Sequence, residues 1–233
     1  MDRRGHPPVL LVTMARRRPK HSPRIFLLSP ANCSGRRAQL VLSANAQFAV
    51  ARDLRSRSGA TLGDVFSFVS GLYFRGKLAY ARRFARPPDP GDPVMAGGVL
   101  VITPNAGLRA ADTRMTVASF RAFADARIDI GNPGYRQPLE RAAHNLRSAI
   151  GPHCEVVLLG SVASGKYVDL LLPIFGRQLL FPHHFVGRGD MSRGGLMLRC
   201  VAAGLELDYL PIEGSPRHGP RPPKLEPIAK KGN

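Results

Sequence analysis

Cysteine is scarce: Cys33, Cys154 and Cys200 are the only three in 233 residues. They are odd in number, far apart, and form no Cys-x-x-Cys pair, which excludes a disulfide framework and a thiolate zinc site. A reducing compartment suits such a chain. Long apolar runs are missing too. None approaches the roughly 18 residues of a membrane span, and Val9 to Met14 is shorter than a signal-peptide core of roughly 7–15. Membrane insertion and secretion are therefore not expected, and the chain reads as cytoplasmic. Acidic residues are few, with 16 Asp and Glu against 34 Lys and Arg and a formal net charge of +18. No internal repeat is present.

The placement of the charge matters more than its size. Residues 1–24 carry Arg3, Arg4, Arg16, Arg17, Arg18, Lys20 and Arg24 against Asp2. Residues 214–233 carry Arg217, Arg221, Lys224, Lys230 and Lys231 against Glu226, among many prolines. These two ends hold more than half of the net excess. The expected organisation is a flexible basic arm over 1–23, one α/β domain over 24–213, and a flexible, Pro-rich basic tail over 214–233. Such charge favours nucleic acid or a phosphorylated small molecule as partner.

What is present between the tails is enough to fold. Apolar residues make up 44% of the chain, sufficient for one sizeable core. Short apolar runs ended by Pro, Gly or Ser predict strands at Ile25–Leu28, Gly98–Thr103, Glu155–Gly160, Leu179–Phe181 and Leu205–Ile212. Because they are continuous, not alternating, they suit a sheet covered on both faces. Helical spacing appears at 35–54, 62–85, 116–126, 137–150, 164–175 and 191–203. Strands alternating with helices predict a three-layer α/β/α domain with a mainly parallel sheet of about five strands. The Pro- and Gly-rich stretch 86–97 reads as a surface loop and a hinge.

In such sheets ligands bind beyond the carboxyl ends of the strands, which directs attention to the loops 29–37, 103–109, 160–166 and 182–193. Each joins small residues to a cation and reads as an anion cradle, where glycines admit backbone N–H groups and a helix adds its positive end. Arg36, Lys166, Arg188 and Arg193 are the phosphate-binding candidates. Gly160 to Lys166 matches the core of a P-loop after a strand and before a helix. Tyr167, however, replaces the Ser or Thr that would ligate magnesium, so a degenerate P-loop remains only an alternative. Asp190 reads either as the cap of a helix starting at Met191 or as a general acid or base. Gly194 and Gly195, inside that helix, suggest close approach of a backbone or ligand.

Three further features are candidates. Cys33, beside Arg36 and Arg37, has the setting of a thiol with a lowered pKa and a nucleophilic role. The stretch from Ser70 to Tyr80 mixes aromatics with cations, and Tyr73, Arg75 and Lys77 read as base-stacking and phosphate contacts. His183 and His184 are adjacent but have no third ligand at metal spacing, so no metal or cofactor is expected.

The segments Leu28-Ser29-Pro30 with Ser34-Gly35-Arg36, Ser70 to Tyr73, Val101-Ile102-Thr103 with Gly107-Leu108, Gly165-Lys166-Tyr167, and Gly187 to Gly195 resemble those of a bacterial protein family of unknown function. This resemblance spans residues 24–212 and implies no established activity. The order of parts is more weakly similar to nucleobase-handling α/β domains, including the uracil-DNA glycosylase-like group. That group's Asp-Pro and His-Pro-Ser loop motifs are absent, so its activity does not carry over. Together these features lead to the expectation of a nucleotide or nucleic-acid phosphate bound at the strand ends, with action on a nucleobase or N-glycosidic bond. The alternative is a non-catalytic nucleic-acid binder acting through its tails. Oligomeric state is not legible.

Overall fold

The structure is a computed structural model that describes residues 22–225. In chain order its elements are β1 (Arg24–Leu28), α1 (Arg36–Leu42), α2 (Ala49–Arg55), β2 (Ala60–Thr61), α3 (Leu62–Ser70), α4 (Leu72–Phe84), β3 (Val99–Ile102), β4 (Leu108–Ala110) and β5 (Arg114–Met115), followed by α5 (Val117–Asp125), α6 (Pro133–Ile150), β6 (Glu155–Leu159), α7 (Gly165–Phe175), β7 (Leu179–Pro182), α8 (Asp190–Ala203) and β8 (Tyr209–Pro211).

Six strands form one sheet in the order β4-β3-β1-β6-β7-β8. The inner four are parallel, while β4 and β8 run antiparallel at the two edges. This is the expected α/β architecture. Successive strand side chains point to opposite faces, so the apolar runs feed two cores. Phe26, Leu28, Val157 and Leu159 pack on one face beneath α1, α3, α4, α5 and α8. Ile25, Leu27, Val156 and Leu158 pack on the other beneath α6 and α7. All five residues of β1 and of β6 are buried, as a sheet covered on both sides requires.

The connections leave the sheet in different directions. β1 is followed by α1, whose Ala38 and Val41 join the first core, whereas the neighbouring β6 is followed by α7, whose Val168 and Leu171 join the second. Adjacent parallel strands whose helices depart to opposite faces define a topological switch point, where a crevice opens at the carboxyl ends.

The opposite end of β1 and β6 is closed by charge. Arg24 pairs with Glu155 and with Glu206, and Arg86 reaches Glu206 at 2.9 Å. Tyr80 and Tyr209 hydroxyls lie 2.6 Å apart, and Tyr80 Oη accepts from the backbone of Leu207 at 2.7 Å. Arg24, counted above in the charge of residues 1–24, is thus a buried structural residue.

Several local expectations are corrected. The helix over 62–85 is two helices, broken at Gly71, whose φ of 59° a side chain rarely adopts. The expected cradle at 103–109 is a tight hairpin turn between β3 and β4, closed by Thr103 N–H donating to Gly107 O at 2.9 Å; no helix follows it to bind an anion. The strand over 205–212 shortens to β8. Of the expected free tail, residues 214–225 include a stretch against the turn before α8: Arg188 Nη1 donates to Pro223 O at 3.2 Å, and Leu225 lies by Gly195. The arm at 1–21 and the tail at 226–233 lie outside the described residues.

Candidate ligand site at the carboxyl ends of the central strands

The switch point is flanked by the residues that follow β1 and β6. Ser29 N–H donates to Leu159 O at 3.1 Å. A Cβ at Gly160 would stand 2.9 Å from Ser29 Cβ, so only glycine lets the two strand ends come this close. Beneath Ser29 lies Lys77 of α4, wholly buried. Its Nζ donates to the backbone carbonyl of Ser29 and, at 2.9 Å, to Ser29 Oγ. The ammonium also sits over the rings of Tyr73 and Phe74, at 4.4 and 4.8 Å from their centroids.

Backbone contact between α4 and α8 completes the cluster. A Cβ at Gly76 would meet Gly194 O at 2.7 Å, and one at Gly194 would meet Leu72 O at 2.7 Å and Tyr73 Cα at 2.9 Å. Helix axes normally stand 8–10 Å apart, by about the size of the side chains between them; glycine facing glycine removes that spacer. Tyr73 and Lys77 of α4 are thereby brought within electrostatic reach of Asp190 and Arg193 of α8. Arg193 is buried, donates from Nε and Nη2 to Phe185 O at 3.2 and 3.0 Å, and lies 3.7 Å from Asp190.

Burial dominates the titration of these groups. Loss of hydration lowers Lys77 to about 7; Asp190 opposes the fall and Arg193 adds to it. Burial likewise pushes the Tyr73 and Tyr167 hydroxyls up to about 12. Arg193 and Ser29 moderate the rise at Tyr73, yet neither is in hydrogen-bonding geometry with it, and Tyr73 Oη is buried without a partner among the described residues. An unmade bond of this kind costs about 1–3 kcal/mol, a cost that a bound ligand or water relieves.

The Lys77 shift gives stability a definite pH dependence. Its folded pKa lies below the ordinary 10.5, so between about pH 7 and 10.5 the unfolded chain binds the extra proton and Lys77's contribution to stability rises with pH. Urea midpoints measured at about pH 7 and about pH 8.5 are expected to rise less in Lys77→Met than in the natural chain. Equal slopes in the two proteins would mean that Lys77 is hydrated in the folded state.

The structure brings Tyr73, Asp190 and Arg193 together and places the other candidates elsewhere. Asp190 is mostly exposed and caps nothing: Gly189 is the N-cap, without a side-chain bond, and Asp190 opens α8. Arg188 is half-buried and bonds Ser192 and Pro223. Arg36 and Arg75 are exposed on α1 and α4. Lys166 is exposed at the start of α7, where it and the loop 31–34, which follow β6 and β1, line a cleft of about 430 Å³ with Arg127 and Asp129. Asp169 Oδ2 lies 2.0 Å from where a Gly165 Cβ would stand, so the P-loop-like turn meets a carboxylate. The nucleophilic reading of Cys33 is corrected. Arg36 is exposed, Arg37 donates to Phe68 O at 3.4 Å, and burial pushes the thiol up to about 12 instead of lowering it. The His183 and His184 rings lie 3.8 Å apart, and among the described residues no group of three His, Cys, Asp or Glu could hold a metal.

Sequence reasoning missed Ser29, Tyr167 and the pairing of Gly76 with Gly194. Lys77, read from the sequence as a phosphate contact, is instead wholly buried; the signal was its place three and four residues after Phe74 and Tyr73, on the apolar face, where a lysine is out of place. Compared with known proteins, the chain matches no protein-family model, no curated protein and no solved structure.

Proposed function

We propose that the chain binds a nucleotide or a nucleic-acid phosphate at the carboxyl ends of β1, β6 and β7 and acts on a nucleobase or N-glycosidic bond. The observation that carries this reading is the switch-point crevice, with cations supplied by each connection that leaves it: Arg36 after β1, Lys166 after β6, and Arg188 and Arg193 after β7. The strong excess of basic residues supports an anionic partner. In this reading Asp190, exposed at the first turn of α8, is the acid or base, and Tyr73 stacks on or bonds the base. Arg75 lies on the exposed side of α4 and serves as an outer phosphate contact. The membrane has no part in it, and no described helix is long and apolar enough to cross one.

The test is a thermal-shift panel of nucleotides, nucleosides, nucleobases and short oligonucleotides on the full chain. A ligand at 100 times its Kd stabilises the native state by about 2.7 kcal/mol, several degrees for a domain of this size. The shift is expected to fall in Arg188→Ala and Lys166→Ala and to persist, without turnover, in Asp190→Asn. Loss in Lys166→Ala alone, for nucleoside triphosphates alone, would favour the degenerate P-loop. A second reading rests on the basic ends of the sequence. Oligonucleotide binding that falls steeply with salt, survives every site variant and disappears when 1–21 and 226–233 are removed would make those ends the binding element.

A further inference from the structure

We infer that Ser29 and Lys77 form a nucleophile–base pair that attacks the carbonyl carbon of an ester or amide, an acyl-transfer centre distinct from the phosphate contacts proposed above. Nucleophilic catalysis by serine needs a base within hydrogen-bond reach of the hydroxyl and a third group that orients the base. Both are present. Lys77 Nζ lies 2.9 Å from Ser29 Oγ, while the Ser29 carbonyl and the faces of Tyr73 and Phe74 hold the amine in place.

Exposure runs in the right order. Lys77 is fully covered, and Ser29, the partner that must meet substrate, retains 5% exposure just after the carboxyl end of β1. No carboxylate lies within ion-pair distance of Lys77 among the described residues, and Asp190, which acts on it electrostatically, pairs with Arg193 at 3.7 Å. A lysine kept only for structure is expected to bring its own counter-ion inside; this one is given a hydroxyl. Burial, which lowers the amine to about 7, keeps a substantial neutral fraction near that pH and so supplies the basic form. A second observation points to a ligand at the same place: the Tyr73 hydroxyl, on a side chain more than nine-tenths buried, has no hydrogen-bond partner among the described residues, and it is near enough to Ser29 for the two to interact.

The step balances without a cofactor. Ser29 Oγ bonds to the carbonyl carbon as its proton passes to neutral Lys77 Nζ. The tetrahedral oxyanion collapses, breaking the bond to the alcohol or amine leaving group, which takes the proton from Lys77. Water then gives a proton to Lys77 and its oxygen to the acyl carbon, and Ser29 recovers its proton as the acid departs. One water is consumed per bond cleaved. Tyr73 Oη is placed to donate to the oxyanion or to the leaving oxygen.

A fluorophosphonate is the probe: Ser29 Oγ would bond to phosphorus as fluoride leaves. The full chain is incubated with it, and the adduct is located by intact mass and peptide mapping. One adduct on Ser29 is expected, absent in Ser29→Ala and formed at least about 100-fold more slowly in Lys77→Met, the usual contribution of a general base. Tyr73→Phe, which removes one oxygen, is expected to slow labelling while leaving the unfolding midpoint unchanged or raised. Should Lys77→Met fail to fold, the natural chain still decides the matter, because its labelling rate is expected to rise with pH and level off above about 7. No Ser29 adduct on folded protein, a rate unaffected in folded Lys77→Met, or a rate that climbs with hydroxide without levelling would each overturn the pair. Nucleotide binding is read separately by thermal shift, so the two proposals fail independently.

Discussion

Arg24→Ala is expected to lower the stability of the folded chain by about 3–5 kcal/mol, the usual cost of removing one partner from a buried ion pair. Arg24 is almost wholly covered at the start of β1, and it faces Glu155 across the sheet register and Glu206 from the segment after α8. Its loss leaves Glu155 without this guanidinium in a site where its own side chain is only 11% exposed. Glu206 retains Arg86 at 2.9 Å, so the damage centres on Glu155. The double variant Arg24→Met with Glu155→Leu is expected to recover most of the loss, since apolar residues of similar volume commonly replace a buried pair at little cost. Guanidinium unfolding of the three proteins measures both effects. A loss below about 1 kcal/mol in the single variant would mean that water or another partner of Glu155 makes up for the guanidinium.

The second large effect separates two adjacent glycines. Gly195→Ala is expected to stabilise α8 by up to about 1 kcal/mol, because alanine is the better helix former and its Cβ would meet only Leu225 Cδ1 at 3.7 Å. Gly194→Ala is expected to destabilise despite the same propensity gain, and Gly194→Val to cost about 3 kcal/mol or more. The new Cβ would press on the backbone of Leu72 and Tyr73 at 2.7 and 2.9 Å, and backbone inside a packed helix does not yield as a side-chain tip does. Because that contact sets the distance from Tyr73 and Lys77 to Arg193, Ser29 labelling is expected to fall in Gly194→Ala even where the protein remains folded. Similar effects of the two alanine variants on stability would show that α4 and α8 are not held in backbone contact.

Much of the layered fold could be read from residue patterns. Glu155 to Leu159 is one unbroken apolar run after its first residue, and such a run predicts a strand buried on both faces. The edges were read unevenly: Tyr209–Pro211 lies within the strand expected over 205–212, whereas Leu108–Ala110, only three residues long, was largely hidden in a loop read as an anion cradle. Gly71 was an equally quiet signal, since one glycine within an apolar helical pattern does not disclose the backbone reversal that splits it.

The candidate site was legible only where one residue carried the information. Tyr73, Asp190 and Arg193 stood out by type and neighbourhood, and the structure gathers them. Cys33 misled, because the two arginines near it in sequence stay exposed while Cys33 itself is buried; adjacency along the chain does not fix the direction of a side chain. By itself, the sequence determined the α/β class, the strands of the inner sheet and the concentration of positive charge at the two ends, since these follow from local periodicity and composition. Only the tertiary structure decided that Lys77 would lie under Ser29, that Gly76 would meet Gly194, and that Arg24, at the first position of the domain, would be a buried ion-pair partner. Each of those is a contact between segments 48 to 182 positions apart or between two packed helices, and such a contact is set by how elements pack, which no local pattern encodes.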